Sequence, residues 1–177
     1  MAPRPLDGVR VLVLSDTHLT ASTLDRMPAE VWALAERADV VLHAGDVVDR
    51  TVLDALAEHA PVLAVLGNND RGMRAELPEV VEATLGGVPL AMVHDSGERA
   101  GRAARMSRRF PAAAVVVFGH SHDPMVERPP EGPLLVNPGS PTQRRRQRVH
   151  TVGTLELAAG QVREARLVEV GPLAGPR

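Results

Sequence analysis

Five short polar clusters gather the residues of this sequence best suited to chemistry: Ser15–His18 (SDTH), Gly45–Arg50 (GDVVDR), Gly67–Asp70 (GNND), His94-Asp95 and Gly119–His122 (GHSH). Four of the seven histidines lie inside them, and the chain has no cysteine, so any metal would have to be held by His, Asp, Glu or Asn. Each cluster alone reads as a turn, because Gly, Asn and Asp all tolerate turn geometry. GHSH says more, since glycine permits close backbone approach and imidazoles two residues apart can point the same way. Together the clusters suit a pair of divalent cations. Asp16 and Asp46 would offset half of the four positive charges, while His18, His94, His120, His122 and the Asn68 amide add neutral donors. Positive charge then remains to hold a bridging hydroxide and receive an anionic phosphate, the two-metal clamp for displacement at phosphorus.

Something must bring these clusters together, and each follows an apolar run. Val9–Leu14, Asp39–Leu42, Pro61–Leu66 and Ala112–Phe118 are short, nearly continuous and mostly rich in Val, as expected of strands buried on both faces. Thr23–Arg37 and Arg50–His59 carry apolar residues at helical spacing between the first three, predicting βαβ units and a parallel sheet. Val80–Leu85 and Val88–Val93 flank Gly86-Gly87, a hairpin signal. Glu98–Phe110 reads as a third helix. Pro124–Glu127, Pro133–Asn137, Val149–Leu157 and Gln161–Val170 read as further strands, with Ala158–Gly160 turning the last pair. Polar clusters at the carboxyl ends of strands are where sites form in open α/β sheets.

Composition narrows the function. Aromatics are only 2% of the chain, which disfavours a nucleic-acid reader built on base stacking. A net charge of −2 gives no global pull towards DNA or a membrane. The N-terminal MAPRPLDG is short and polar, and the six-residue apolar run after it, Val9–Leu14, is too short for a signal peptide's apolar region or a membrane span. The expectation is a cytoplasmic chain, 1–177, forming one domain with an ordered core over about 9–170 and a disordered tail, Gly171–Arg177.

The ordered set DxH, GDxxD, GNxD, a strand-end His and GHxH resembles the calcineurin-like metallophosphoesterase superfamily. Asn137-Pro138-Gly139-Ser140 (NPGS) narrows the resemblance to its small bacterial and archaeal phosphodiesterase branch, which also contains the eukaryotic retromer scaffold subunit. The resemblance implies an α/β fold, a four-layer α/β/β/α sandwich of two mixed sheets flanked by helices. It implies one metal on Asp16, His18 and His122 and another on Asn68, His94 and His120, with Asp46 bridging. Asp49 would orient a ligand or backbone group without binding metal. Manganese is the cation the resemblance suggests, with Fe, Ni or Zn also able to occupy such a site. The implied activity is hydrolysis of a small phosphodiester or nucleotide by a metal-bridging hydroxide. Phosphomonoester hydrolysis and a non-catalytic scaffold on the same fold are the alternatives. A homodimer fits the branch, but no apolar stripe in the sequence argues for one.

Two positions depart from the pattern. Asn69 stands where many superfamily members have the His thought to protonate the leaving group. Asp95 follows His94 where the branch usually has Gly, adding a carboxylate near the second metal or the substrate entrance. His43 reads as packing against the site, His59 and His150 as surface residues. Arg144, Arg145, Arg146 and Arg148 read either as a solvated run or as a phosphate-contacting loop.

Overall fold

The computed structural model describes residues 8–171. The expected disorder of the tail from 172 onwards, and the reading of the first seven residues, lie outside the described residues. Among the described residues, ten strands form two five-stranded sheets. In the first, β1 (Val9–Leu14), β2 (Val40–His43) and β3 (Val62–Ala64) run parallel, and β9 (His150–Ala158) and β10 (Gln161–Val170) add antiparallel on the other side of β1. In the second, β5 (Val88–Val93), β6 (Val115–Val117) and β8 (Leu134–Asn137) run parallel, edged by antiparallel β4 (Val80–Leu85) and β7 (Met125–Glu127). Both sheets are therefore mixed.

Side-chain alternation along the central strands builds the layers, because successive Cβ atoms point to opposite faces. Val11 and Val13 of β1 join Leu90 and Met92 of β5 and Val115 and Val117 of β6 between the sheets. Leu12 and Leu14 face the other way, against Val31 and Ala35 of α1 (Ala29–Ala35) and Val52 and Leu56 of α2 (Arg50–Ala57). Ala91, Val93, Val116 and Phe118 cover the outer face of the second sheet with Met106 of α3 (Arg102–Arg109) and Phe110. Three apolar interfaces separate four layers, α/β/β/α, as the resemblance implied.

The elements differ from the sequence expectations mainly at their ends. The helix expected over Thr23–Arg37 is broken at Pro28 into a 3-10 segment, Ala21–Arg26, and α1. Proline fixes its own φ and pushes the preceding residue out of the helical region, and Met27 is accordingly extended at φ −64°, ψ 124°. The third helix begins at Arg102 rather than Glu98, because Gly97 and Gly101 turn through φ +76° and +68°. Ala112 and Ala113 lie in a turn closed by the Ala113 N–H on Phe110 O, so β6 begins only at Val115, after Ala114 has bonded Pro89 O and Leu134 N.

Candidate metal centre

The carboxyl ends of β1, β2, β3, β5, β6 and β8 lead into the five polar clusters and NPGS. The turns after β1, β2 and β6 are unusual in backbone as well as composition. Asp16, His18, Asp46, His120 and His122 all have positive φ, between +46° and +67°, and Val48 reaches +82°. Such conformations are uncommon outside glycine and cost free energy, so packing and hydrogen bonding must hold them. Glycine makes the remaining room. At Gly67 a Cβ would collide with the Asp46 backbone N and Oδ1.

All seven candidate ligands converge. Nε2 of His122 is 3.2 Å from Asp16 Oδ1 and 3.4 Å from His18 Nε2, and the two imidazoles stack. Potential ligand atoms of Asp16, His18 and His122 lie within 4.8 Å of one another. On the other side, Asn68 Oδ1 is 3.0 Å from both His94 Nε2 and His120 Nδ1. Asp46 stands between the groups, with Oδ2 3.6 Å from His18 Nε2 and Oδ1 3.5 Å from His94 Nε2. The two histidines of GHSH thus face different groups instead of pointing the same way, since each sits in a left-handed turn rather than a strand.

Second partners set the exposed nitrogens. His94 Nδ1 lies 2.7 Å from the Ala44 carbonyl and His122 Nδ1 2.5 Å from that of Gln143. Donation from each Nδ1–H leaves Nε2 with its lone pair towards the centre. Burial lowers the His18 pKa, with His122 and Arg145 acting in the same direction against Asp46 and Asp16, so its imidazole favours the neutral, metal-binding form. Burial pushes the Asp16 carboxyl up, but His122 and the Ser15 hydroxyl outweigh it and hold the group below its ordinary value. Asp16 Oδ2 accepts from Ser15 Oγ and the His120 N–H, whereas buried Oδ1 has no hydrogen-bond partner. An unpartnered buried carboxylate oxygen facing imidazole nitrogens fits a cation.

Asp70, treated as part of a turn in the sequence, organises the site. Its fully buried carboxylate accepts from Gly67 N at 2.7 Å, Asp46 N at 2.9 Å and Val48 N at 2.7 Å, locking together the two loops that carry the candidate ligands Asp46 and Asn68. NPGS does the same elsewhere: Asn137 Nδ2 donates to Gly119 O, Ser140 Oγ to Asp16 O, and Gly139 N to Asn137 Oδ1. Asn69 turns inward, its N–H and Nδ2 donating to the two oxygens of Asp46 at 2.8 and 2.6 Å. Asp49 caps α2 through Thr51 and accepts from Ala21 N, with no hydrogen bond to a candidate ligand. Asp95 is exposed and accepts from Gly97 N, on the wall of a cavity beside Asn68, His94 and His120. His43 is fully buried under the centre and bonds Thr17. In the arginine loop, Arg145 donates to His120 O and Arg144 to Gln147 O. His59 is exposed, but His150 is half-buried with Nδ1 unpartnered.

The calcineurin-like phosphoesterase superfamily domain matches residues 9–160 of the chain. A "Probable metallophosphoesterase" of Methanocaldococcus jannaschii is 31% identical over 160 residues, 89% of this chain and 80% of that protein. Among solved structures, a novel archaeal phosphodiesterase superposes with a TM-score of 0.69 at 20% identity, covering 91% of this chain and 99% of its own. Vps29 of Entamoeba histolytica complexed with Zn²⁺ superposes with a TM-score of 0.64 at 22% identity, covering 90% and 98%. At these identities the structural likenesses establish the fold.

Proposed function

The chain belongs to the calcineurin-like phosphoesterase superfamily, and from that membership we propose that it is a phosphodiesterase working with two divalent cations. The observation that carries the reading is the position of Asp46, one oxygen towards His18 and the other towards His94, between Asp16–His18–His122 and Asn68–His94–His120. In this reading Asp16, His18 and His122 hold one cation, Asn68, His94 and His120 the other, and Asp46 both. Manganese is the preferred ion. Bound there, the cations would supply a nucleophile from water at neutral pH and stabilise charge on the phosphate. Asn69 holds the Asp46 carboxylate in place, and Asp70 holds the backbone that carries it. Arg145, anchored on the His120 carbonyl, adds positive charge at the rim for an anionic substrate. The reading extends to the whole chain as one such domain acting in the cytoplasm.

An amide has no proton to transfer, so Asn69 cannot serve as general acid. The leaving group must then be a weak base or be stabilised in another way. Hydrolysis of a diester series of varied leaving-group pKa by chelator-stripped, Mn-reloaded protein tests this. We expect no turnover without metal, faster cleavage of bis(p-nitrophenyl) phosphate than of p-nitrophenyl phosphate, and a steep fall in kcat/KM as leaving-group pKa rises. Faster monoester cleavage would make the protein a phosphomonoesterase. No cleavage by metal-loaded protein would favour the scaffold reading, although a scaffold has no need to keep all seven donors.

A further inference from the structure

A cavity of about 480 Å³ opens beside Asn68, His94 and His120. It lies at the seam between the two halves of the fold, since Arg74 follows the turn after β3 while Arg109 ends α3 on the second sheet. Its volume is in the range of small-molecule sites. Leu66, Leu77 and Val93 give it an apolar surface, and its only rings are the imidazoles of His94 and His120, with no Phe or Trp in the lining among the described residues. Four charged side chains share the wall: Arg74, Arg109, Glu79 and Asp95. Among the described residues the Arg74 and Arg109 guanidinium groups and the Glu79 carboxylate make no hydrogen bond or ion pair, although Arg109 lies over the Phe110 ring at 5.1 Å, and Asp95 accepts one hydrogen bond, from Gly97 N. The arginine loop singled out from the sequence does not line this cavity.

Two arginines alone would suggest a second phosphate. Two carboxylates on the same wall cancel that preference, leaving a surface that offers donors and acceptors together with no net charge. A neutral planar ring satisfies all of it: guanidinium groups donate to ring carbonyls or stack on the ring, carboxylates accept from ring N–H and amino groups, and the aliphatic patch covers a face. We infer that this cavity is a recognition pocket for a nucleobase, so that the phosphoester bound at the centre is a nucleotide. The inference rests on the phosphodiesterase reading for the position of the phosphate.

Calorimetric titration of Mn-loaded protein with nucleoside 5′-monophosphates, ribose 5-phosphate and glucose 1-phosphate tests it independently of turnover. At least one nucleotide should bind tenfold or more tighter than ribose 5-phosphate. Arg74→Ala, Arg109→Ala and Leu77→Glu should each reduce that advantage to less than threefold. Equal binding of all nucleotides and ribose 5-phosphate, tighter binding of glucose 1-phosphate, or an advantage that survives all three substitutions would overturn the pocket assignment. Cleavage of bis(p-nitrophenyl) phosphate separates the two claims. Diester cleavage without a nucleotide advantage removes the pocket and keeps the enzyme; a nucleotide advantage without diester cleavage does the reverse.

Discussion

Asp70 shows how a single residue outside the proposed ligand set can govern the centre. Its carboxylate satisfies three backbone N–H groups, including those of Asp46 and Val48, whose backbones sit at φ +56° and +82°. Asp70→Ala leaves those donors without their partner and removes what holds the strained turn. Loss of a partner that orients metal ligands typically costs 10–100-fold in metal affinity or activity, so Mn affinity should fall by about 10- to 100-fold. Asp70→Asn, which keeps an acceptor oxygen, should lie between. Unchanged Mn affinity in the alanine variant would show that the turn holds itself. The candidate ligands were legible in the sequence because only a few side-chain types bind hard or borderline cations. The role of Asp70 was not, because a lone Asp after Asn-Asn has the signature of a turn. Nor did residue type disclose the left-handed backbones of Asp16, His18, His120 and His122, which need partners distant in sequence.

At the scale of elements, β-branched runs disclosed the strands, but their ends overshot where the chain turns, as at Ala112 and Ala113, where the Ala113 N–H donates to Phe110 O. Pro28 was the visible breaker within Thr23–Arg37, and its effect prevailed over the helical spacing around it. The site depends on how tightly the loops following these strands interlock. At Gly119 a Cβ would strike Ser15 Oγ and come within 2.7 Å of Asp16 Oδ2. Gly119→Ala should therefore lower stability by about 1–3 kcal/mol through overpacking and weaken metal binding by displacing Asp16. Gly72→Ala is the control, because nothing lies within 4 Å of its added methyl. Thermal melts compare the two; a Gly119→Ala protein melting with the Gly72→Ala protein would contradict the interlocking.

For the whole molecule, periodicity indicated buried strands, a parallel sheet and helices, whereas the stacking of two mixed sheets came only from family resemblance. No local pattern records which strand faces which across a core. His43, buried beneath the centre, links that core to pH. Burial lowers its pKa from 6.5 to about 4, so between these values the unfolded chain holds the extra proton. Metal-free stability should consequently rise with pH through this window, be complete above 6.5 and be lost by about 4, at about 1.4 kcal/mol per pH unit and about 3 kcal/mol in all from this residue. His18 and His150, also depressed by burial, contribute in the same direction. Urea titrations of the metal-free protein and its His43→Gln variant should show a shallower slope in the variant; parallel slopes would mean that His43 does not titrate as its burial requires. Among the described residues no helix is long and apolar enough to cross a membrane.

The central claim is that Asp46 joins two cations in one centre. Calorimetric Mn titration of the stripped protein, alongside Asp46→Asn and Asn68→Ala, tests it directly. The account predicts two Mn per chain in the native protein. Asp46→Asn, which removes a charge shared by both positions, should weaken both sites, whereas Asn68→Ala should weaken one and spare the other. A stoichiometry of one in the native protein, or equal loss of occupancy in the two variants, would contradict it.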